Sequence, residues 1–317
     1  MIKKQDIFAA HQSHPSCHAA TITMTASGNL LAAWYAGSYE TASDQSVFIA
    51  RGSASSDGWT WSAPQRLPSE EGKPDGNPVL FTDPSGKIWL FYVTLYGRGW
   101  KSAILKVCWS ADEGETWSHP LVLSAVAGVM PRTKPVILCS GSWLLPLYDE
   151  RSYAPLFWRS DDQGKTWREV ARLAPNPPMI QPATVLLSDG RLLAYLRTSV
   201  GWVYRITSDD EGSSWSQPQR TDLSNPDSAV DLARTLDGRL VLACNPYRDR
   251  RTPLTVAFSP TEAEHWQVFR DLEVGDGEFS YPCLLADPSG FVHCVYTFKR
   301  QTIRHAVFDR QWLCGGP

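Results

Sequence analysis

Short apolar runs, each broken by a glycine and then resumed, recur along the whole chain. A polar residue opens a run, a turn glycine ends it, and a second β-rich run follows, as in Gly190-Arg191-Leu192-Leu193-Ala194-Tyr195. The turn glycines Gly28, Gly86, Gly141, Gly190, Gly238 and Gly290 lie 58, 55, 49, 48 and 52 residues apart. Runs of this kind predict antiparallel strands, and stretches such as 87–95 are too short to span a bilayer.

A second repeat, Ser-x-Asp-x-Gly-x-Thr-Trp, sits between these units. It is complete at 110–117 and 160–167, differs by one letter at 208–215, is one residue short at 55–61 and is eroded at 259–266. The closing tryptophans Trp61, Trp117, Trp167, Trp215 and Trp266 are 56, 50, 48 and 51 residues apart. Asp bonds nearby amides and Gly supplies positive φ, so each box predicts a tight turn. The following Thr-Trp is expected to start the next strand, its indole covering the gap to the neighbouring blade. The boxes are structural staples rather than chemistry.

Self-similarity at about fifty residues implies stacked units of propeller-blade size. Six turns and five boxes predict an all-β, six-bladed β-propeller with four antiparallel strands per blade, filling residues 1–317 as a single domain. The sixth blade has three strands after Ser280 and no box. Its outer strand is therefore expected from the N-terminus around Ile7-Phe8, closing the ring and removing a sheet edge.

About nine residues before each turn glycine the innermost strand of a blade begins. There the chain reads His18-Ala19, Asn77-Pro78, Lys134-Pro135, Gln181-Pro182 and Tyr281-Pro282, with 228–231 in the fifth blade. Proline is tolerated at a strand's first positions because its missing amide hydrogen is not needed there. Six blades thus direct six different groups at one channel mouth, a favoured place for a ligand site.

Composition narrows the partners. The formal net charge of −3 and a pI near 6.2 argue against nucleic acid or an anionic membrane. The first residues lack the apolar core of a signal peptide, and the seven scattered cysteines form no C-x-x-C pair, so the chain reads as cytoplasmic with buried free thiols. His11, His14, His18 and Cys17 cluster in sequence, but their spacing fits no standard zinc pattern, so neither a metal nor any other cofactor is expected.

The boxes and turns together resemble the sialidase (neuraminidase) superfamily with its Asp-box, or BNR, repeats, over nearly the whole chain. That family grips a substrate carboxylate with three arginines and uses a Tyr nucleophile, a Glu beside it and an Asp acid. A phenol suits an anomeric carbon that bears a carboxylate, where a carboxylate nucleophile would be repelled. The resemblance implies Tyr281 as nucleophile, Arg197 and Arg251 (Arg250 competing) as carboxylate clamps, and Asp44 (Glu40 competing) as the acid. Two positions depart. His18 stands where the family has its first arginine. Gln181, which cannot take a proton, stands where the family has its Glu. Glu278 is near in sequence, but three positions along a strand points the other way.

Arg197 and Arg251 could hold a carboxylate by forked hydrogen bonds, and His18 and Tyr281 could exchange protons. Lys134, Asn77, Asn225, Asp231 and Asn245 could add hydroxyl contacts, while Glu150 either faces the channel or pairs with Arg151. The expected partner is an acidic oligosaccharide or glycoconjugate, and the expected activity is a sialidase-like exo-glycosidase on a terminal nonulosonic or uronic acid. A uronate lyase using His18 or Tyr281 as base, and a carbohydrate-binding propeller without chemistry, are the alternatives.

Overall fold

The computed structural model describes residues 1–11, 14–56, 58–174, 176–262 and 266–314. Asp57 of the first box and residues 263–265 of the fifth lie outside the described residues. Six antiparallel sheets follow one another along the chain as the blades of a propeller. Blade 2 is typical, running Asp75–Thr82, Ile88–Leu95, Ala103–Ser110 and Leu121–Ser124 from the axis outwards. The second strands Leu30–Gly37 and Ile88–Leu95 are buried at every residue, as expected where both sheet faces meet other blades.

Two blades depart from four strands, both at a proline. In blade 3 the inner strand is split into Val129–Pro131 and Val136–Ile137, with Pro135 between them. In blade 1 the outer strand is split into Gly58–Trp61 and Gln65–Arg66, with Pro64 between. Proline cannot donate to the ladder, which breaks there.

The ring closes through the N-terminus, but not at the residues expected. Ile2–Asp6 pairs antiparallel with Thr302–Phe308, from Ile2 opposite Phe308 to Asp6 opposite Arg304. Ile7 and Phe8 follow that strand and are buried instead, Phe8 stacking on Trp34 at 4.9 Å. Their apolar side chains belong to the cluster between blades 1 and 6, which excludes them from an exposed outer strand.

The boxes sit at one end of the ring. In the second box Asp112 accepts from the Thr116 amide and hydroxyl, while the Ser110 hydroxyl accepts from the Gly114 amide. Their indoles face the preceding blade, as expected. Trp215 stacks on Phe157 at 4.1 Å, Trp167 meets Phe91 at 5.9 Å, Trp266 meets Tyr195 at 5.9 Å and Trp61 meets His305 at 5.4 Å. Box carboxylates reach the same way: Glu113, Glu211 and Glu262 accept from the amides of Ser27, Ser140 and Ser188, beside the previous blade's glycine turn. The Thr-Trp pair lies within the outer strand in blade 1 (Gly58–Trp61) and leads directly into it in blade 3 (Arg168–Arg172), but in blades 2 and 4 the strand begins only at Leu121 and Gln219. There the indole is committed to the blade interface, and the chain takes a few residues to return to the ladder.

Candidate functional site

At the end of the ring opposite the boxes, four inner strands carry a bulge at the same place. Register shifts lie between His18 and Thr21, Gly76 and Val79, Ile180 and Ala183, and Ser280 and Cys283. Within them Ala19, Asn77, Gln181 and Tyr281 have φ of 56°, 46°, 57° and 53°. Each such left-handed residue costs about 1–3 kcal/mol, and repeated strain at one level of a ring marks a functional position. All four precede their turn glycine by nine residues, and the same offset selects Arg132 in blade 3 and Ala229 in blade 5.

This register corrects three expectations. His18, Lys134 and Asp231 are not in line with Tyr281; they stand one residue before or two beyond the bulge position. A one-residue displacement turns the His18 side chain to the other side of the strand, and two further residues carry Lys134 and Asp231 along the strand away from the channel mouth. His18 is accordingly buried beneath the phenol, its ring 4.1 Å from that of Tyr281. Lys134 donates to Cys283 Sγ at 3.0 Å and Leu284 O at 2.8 Å, and buried Asp231 accepts from the Leu284 amide at 2.7 Å. These are bonds within the channel wall.

The cavity at the mouth measures about 280 Å³ and is lined by Glu40, Asn77, Glu150, Gln181, Arg197, Asp227, Arg251, Tyr281 and Arg300, with Tyr35, Trp100, Tyr148 and Tyr153 among its aromatic walls. Arg197 Nη1 donates to Tyr281 Oη at 2.5 Å and to Gln181 Oε1 at 3.3 Å, while its Nε donates to Asp227 at 2.7 Å. Arg251 donates to Glu278 at 2.9 Å and to Asp227 O at 2.8 Å. Arg300 donates to Glu278 at 2.8 Å and to Glu40 at 2.6 Å. Arg197 and Arg251 lie 5.7 and 5.5 Å from the Tyr281 ring centroid. Three guanidinium groups from three blades therefore share one cavity with the phenol of Tyr281.

Sequence reasoning missed Arg300. It carries φ of 57° at the turn after Val292–Phe298, in no motif; the charged pair Lys299-Arg300 between two apolar strands was the one available signal. Arg132 was missed too. Buried below Tyr281, it donates to the carbonyls of Ala20, Tyr281 and Pro282 and braces the phenol from beneath.

His18 sits where Arg300 can reach it. Its Nε2 lies 3.5 Å from Arg300 Nη2 and its Nδ1 lies 2.8 Å from Thr297 Oγ1. Arginine can only donate, so Nε2 presents its lone pair and the proton resides on Nδ1, facing Thr297. Burial pushes the His18 pKa well below 6.5, and the charges of Arg300, Arg251, Arg132 and Arg197 push it further, so the ring is neutral. It supports Tyr281 and Arg300 rather than exchanging protons with a ligand.

Of the remaining expected residues, Asn77 lines the cavity and donates to Tyr148 Oη at 2.9 Å. Asp44 does not. It is exposed, accepting from the Ser38 hydroxyl and amide, and chiefly that hydroxyl bond holds its carboxyl below the usual range. Its loop neighbour Glu40 is the one that faces inwards, with Trp100 Nε1 donating to it at 2.9 Å. Asn245 donates to Pro253 O and Phe279 O, Asn225 pairs with the backbone of Ser228, and Arg250 lies over exposed Tyr247; none of the three lines the cavity. Glu278 lies behind two arginines and makes no bond to Tyr281. Burial alone would raise its carboxyl, but the Arg300 and Ser280 bonds and the Arg251 charge hold it down. Among the described residues no group of His, Cys, Asp and Glu is placed to hold a metal ion.

A propeller stapled by Asp-boxes at one end, with an arginine-lined pocket around a tyrosine at the other, is the architecture of a sialidase-like protein. The chain belongs to the family described as the BNR repeat-like domain, whose pattern matches residues 28–294. An anhydrosialidase from Macrobdella decora is 23% identical over 247 residues; the match takes in 68% of this chain but about a third (32%) of that protein's length. Among solved structures, a Hadza microbial sialidase superposes with a TM-score of 0.85 at 18% identity, covering 98% of this chain and 69% of the other. A leech intramolecular trans-sialidase complexed with 2,7-anhydro-Neu5Ac gives 0.82 at 15%, covering 99% and 71%. A Dyadobacter fermentans protein of unknown function gives 0.81 at 17%, covering 96% and 98%. At such identities these superpositions establish the fold.

Proposed function

We propose that this protein is a sialidase-family glycosidase that removes a terminal acidic sugar, a sialic acid or a close relative, from a glycan. The observation that carries the reading is the convergence of Arg197, Arg251 and Arg300 on Tyr281 in one cavity. Three fixed guanidinium groups exceed what a neutral sugar needs and suit a carboxylate, which accepts paired N–H bonds from arginine. The family's first arginine is replaced by His18, and Arg300, reaching in above it, supplies the third positive charge.

Tyr281 is the group that would meet the anomeric carbon. Its phenol brings no charge towards a carbon flanked by the substrate carboxylate, and Arg197 Nη1 at 2.5 Å fixes its oxygen lone pairs where that carbon becomes electron-poor as the leaving group departs. Gln181 adds a hydrogen-bonding wall but no base, which also favours a second reading: a pocket that binds acidic sugars without turning them over. Nothing in the cavity favours a lyase that uses His18, whose imidazole is walled off beneath the phenol.

Turnover of sialosides and of uronate-terminated oligosaccharides separates these readings. Release of free acidic sugar supports the glycosidase, an ultraviolet-absorbing unsaturated product supports a lyase, and tight binding with no product supports the binding protein. Arg197→Ala or Arg300→Ala should weaken an acidic ligand at least tenfold and leave a neutral analogue within about twofold, since a charge-assisted bond is worth about 1.5–3 kcal/mol. Equal losses for both ligands would remove the carboxylate clamp. Tyr281→Phe should abolish turnover while binding survives.

A further inference from the structure

The carboxylates around the cavity are not equivalent. Glu40 accepts from Trp100 and Arg300, and Asp227 accepts from Arg197. Glu278, behind them, accepts from Arg251, Arg300 and Ser280. Glu150 lines the same cavity and is half-buried, yet among the described residues its carboxylate has neither a hydrogen bond nor an ion pair. Its sequence neighbour does not supply one, because Arg151 is committed to Asp149 through Nε and Nη2, both at 3.2 Å. The Glu150 amide donates to Gly128 O at 2.8 Å, which anchors the backbone there.

We propose that Glu150 is the proton-transferring residue of this pocket, delivering a proton to the glycosidic oxygen of a bound acidic sugar. The proposal rests on the glycosidase reading above. The Glu150 O–H bond breaks as the bond between the sugar carbon and the glycosidic oxygen breaks. That oxygen keeps the electron pair of the broken bond, takes the proton and leaves as the alcohol of the aglycone. Water then adds to the sugar carbon, and the proton it releases returns to the Glu150 carboxylate. One water is consumed, and hydrolysis is the net reaction.

The other candidates lack either the proton or the position. Gln181 has no proton to give, Asp44 is outside the cavity with its oxygens held by Ser38, and the imidazole of His18 is beneath the phenol. A half-buried carboxyl without donors is favoured in its neutral form, which is the form an acid requires. Burial raises Glu150 above the usual glutamate range; Arg197 and Lys101 pull it back, and Asp227 and Asp149 push it up again. Tyr148 and Tyr153, which also face it, are neutral phenols whose own ionisation Glu150 opposes. A substrate carboxylate bound to Arg197 would offset the charge that opposes protonation, so binding itself readies the acid.

The test uses the intact protein, Glu150→Gln and Glu150→Asp on two substrates, a sialyl sugar and an aryl sialoside whose phenol departs without help. Glu150→Gln should lower kcat on the sialyl sugar by about 10²–10⁴ and on the aryl sialoside by less than tenfold. The fall in kcat/KM with rising pH, caused by loss of the acid's proton, should vanish in Glu150→Gln and persist in Glu150→Asp. Retained affinity for free sialic acid shows that the variant pocket is folded. Equal losses on both substrates, or an unchanged pH profile, would overturn the proposal alone. If the unaltered protein turns over neither substrate, the glycosidase reading falls and the proposal falls with it.

Discussion

Buried Asp75 opens the inner strand of blade 2 and accepts from the Thr94 hydroxyl at 2.5 Å, and among the described residues no cation is bonded to its carboxylate. Burial pushes its pKa up to about 6 from an ordinary 3.8, so the folded state favours the neutral acid. Its contribution to stability is therefore complete below pH 3.8 and is lost as pH rises through about 6. Asp75→Asn keeps the acceptor and removes the charge; it should stabilise the protein at pH 8 by up to about 3 kcal/mol, with no gain below pH 4. Urea unfolding at the two pH values measures this, and a gain that does not change with pH would refute it. The same logic separates His18 from catalysis. A ring that stays neutral far below its usual range cannot shape a pH profile near neutrality.

At the scale of the element, the box turn couples one blade to the next through a glycine. Gly164 has φ of +84°, and an added Cβ would lie 2.9 Å from Trp143 Cζ3 and from Trp89 Cη2. Gly141 has the same φ but nothing within 4 Å. Gly141→Ala should thus cost only the left-handed backbone term, about 1–2 kcal/mol, whereas Gly164→Ala adds overpacking and should cost about 2–4 kcal/mol. Equal midpoints for the two variants in denaturant would mean that the indoles yield and that the blade contact is soft. The inner-strand bulges are the complementary device. They strain the backbone at the opposite end of the ring, where Asn77, Gln181 and Tyr281 turn towards the cavity.

For the molecule as a whole, closure depends on one terminal strand. Ile2–Asp6 covers the edge of Thr302–Phe308, while Lys4 Nζ donates to Leu272 O of blade 5 and Gln5 Nε2 donates to Trp59 O of blade 1. Deleting residues 1–6 would bare a strand edge and cut both ties. The expected outcome is a lower melting temperature and concentration-dependent association on gel filtration. A shortened protein that stayed monomeric and equally stable would mean that the apolar contacts between blades 1 and 6 close the ring alone. The site depends on that closure as well, because Glu40 of blade 1 meets Arg300 of blade 6 across the same seam.

Blade number, strand order and the structural role of the boxes were legible in the chain because their causes are local. An Asp-x-Gly turn or an apolar run does its work within a few residues, and repetition makes the signal unmistakable. Asn77, Gln181 and Tyr281 were legible for a related reason, each standing nine residues before a turn glycine, and Arg197 and Arg251 were legible through the family resemblance. Three-dimensional structure alone decided the rest. It brought in Arg300 from a hairpin with no motif, exchanged Asp44 for Glu40 within one loop, and turned His18 under the phenol. A bulge moves a side chain across a strand by inserting a single residue, and guanidinium groups far apart in sequence meet only where closure of the ring brings their blades together.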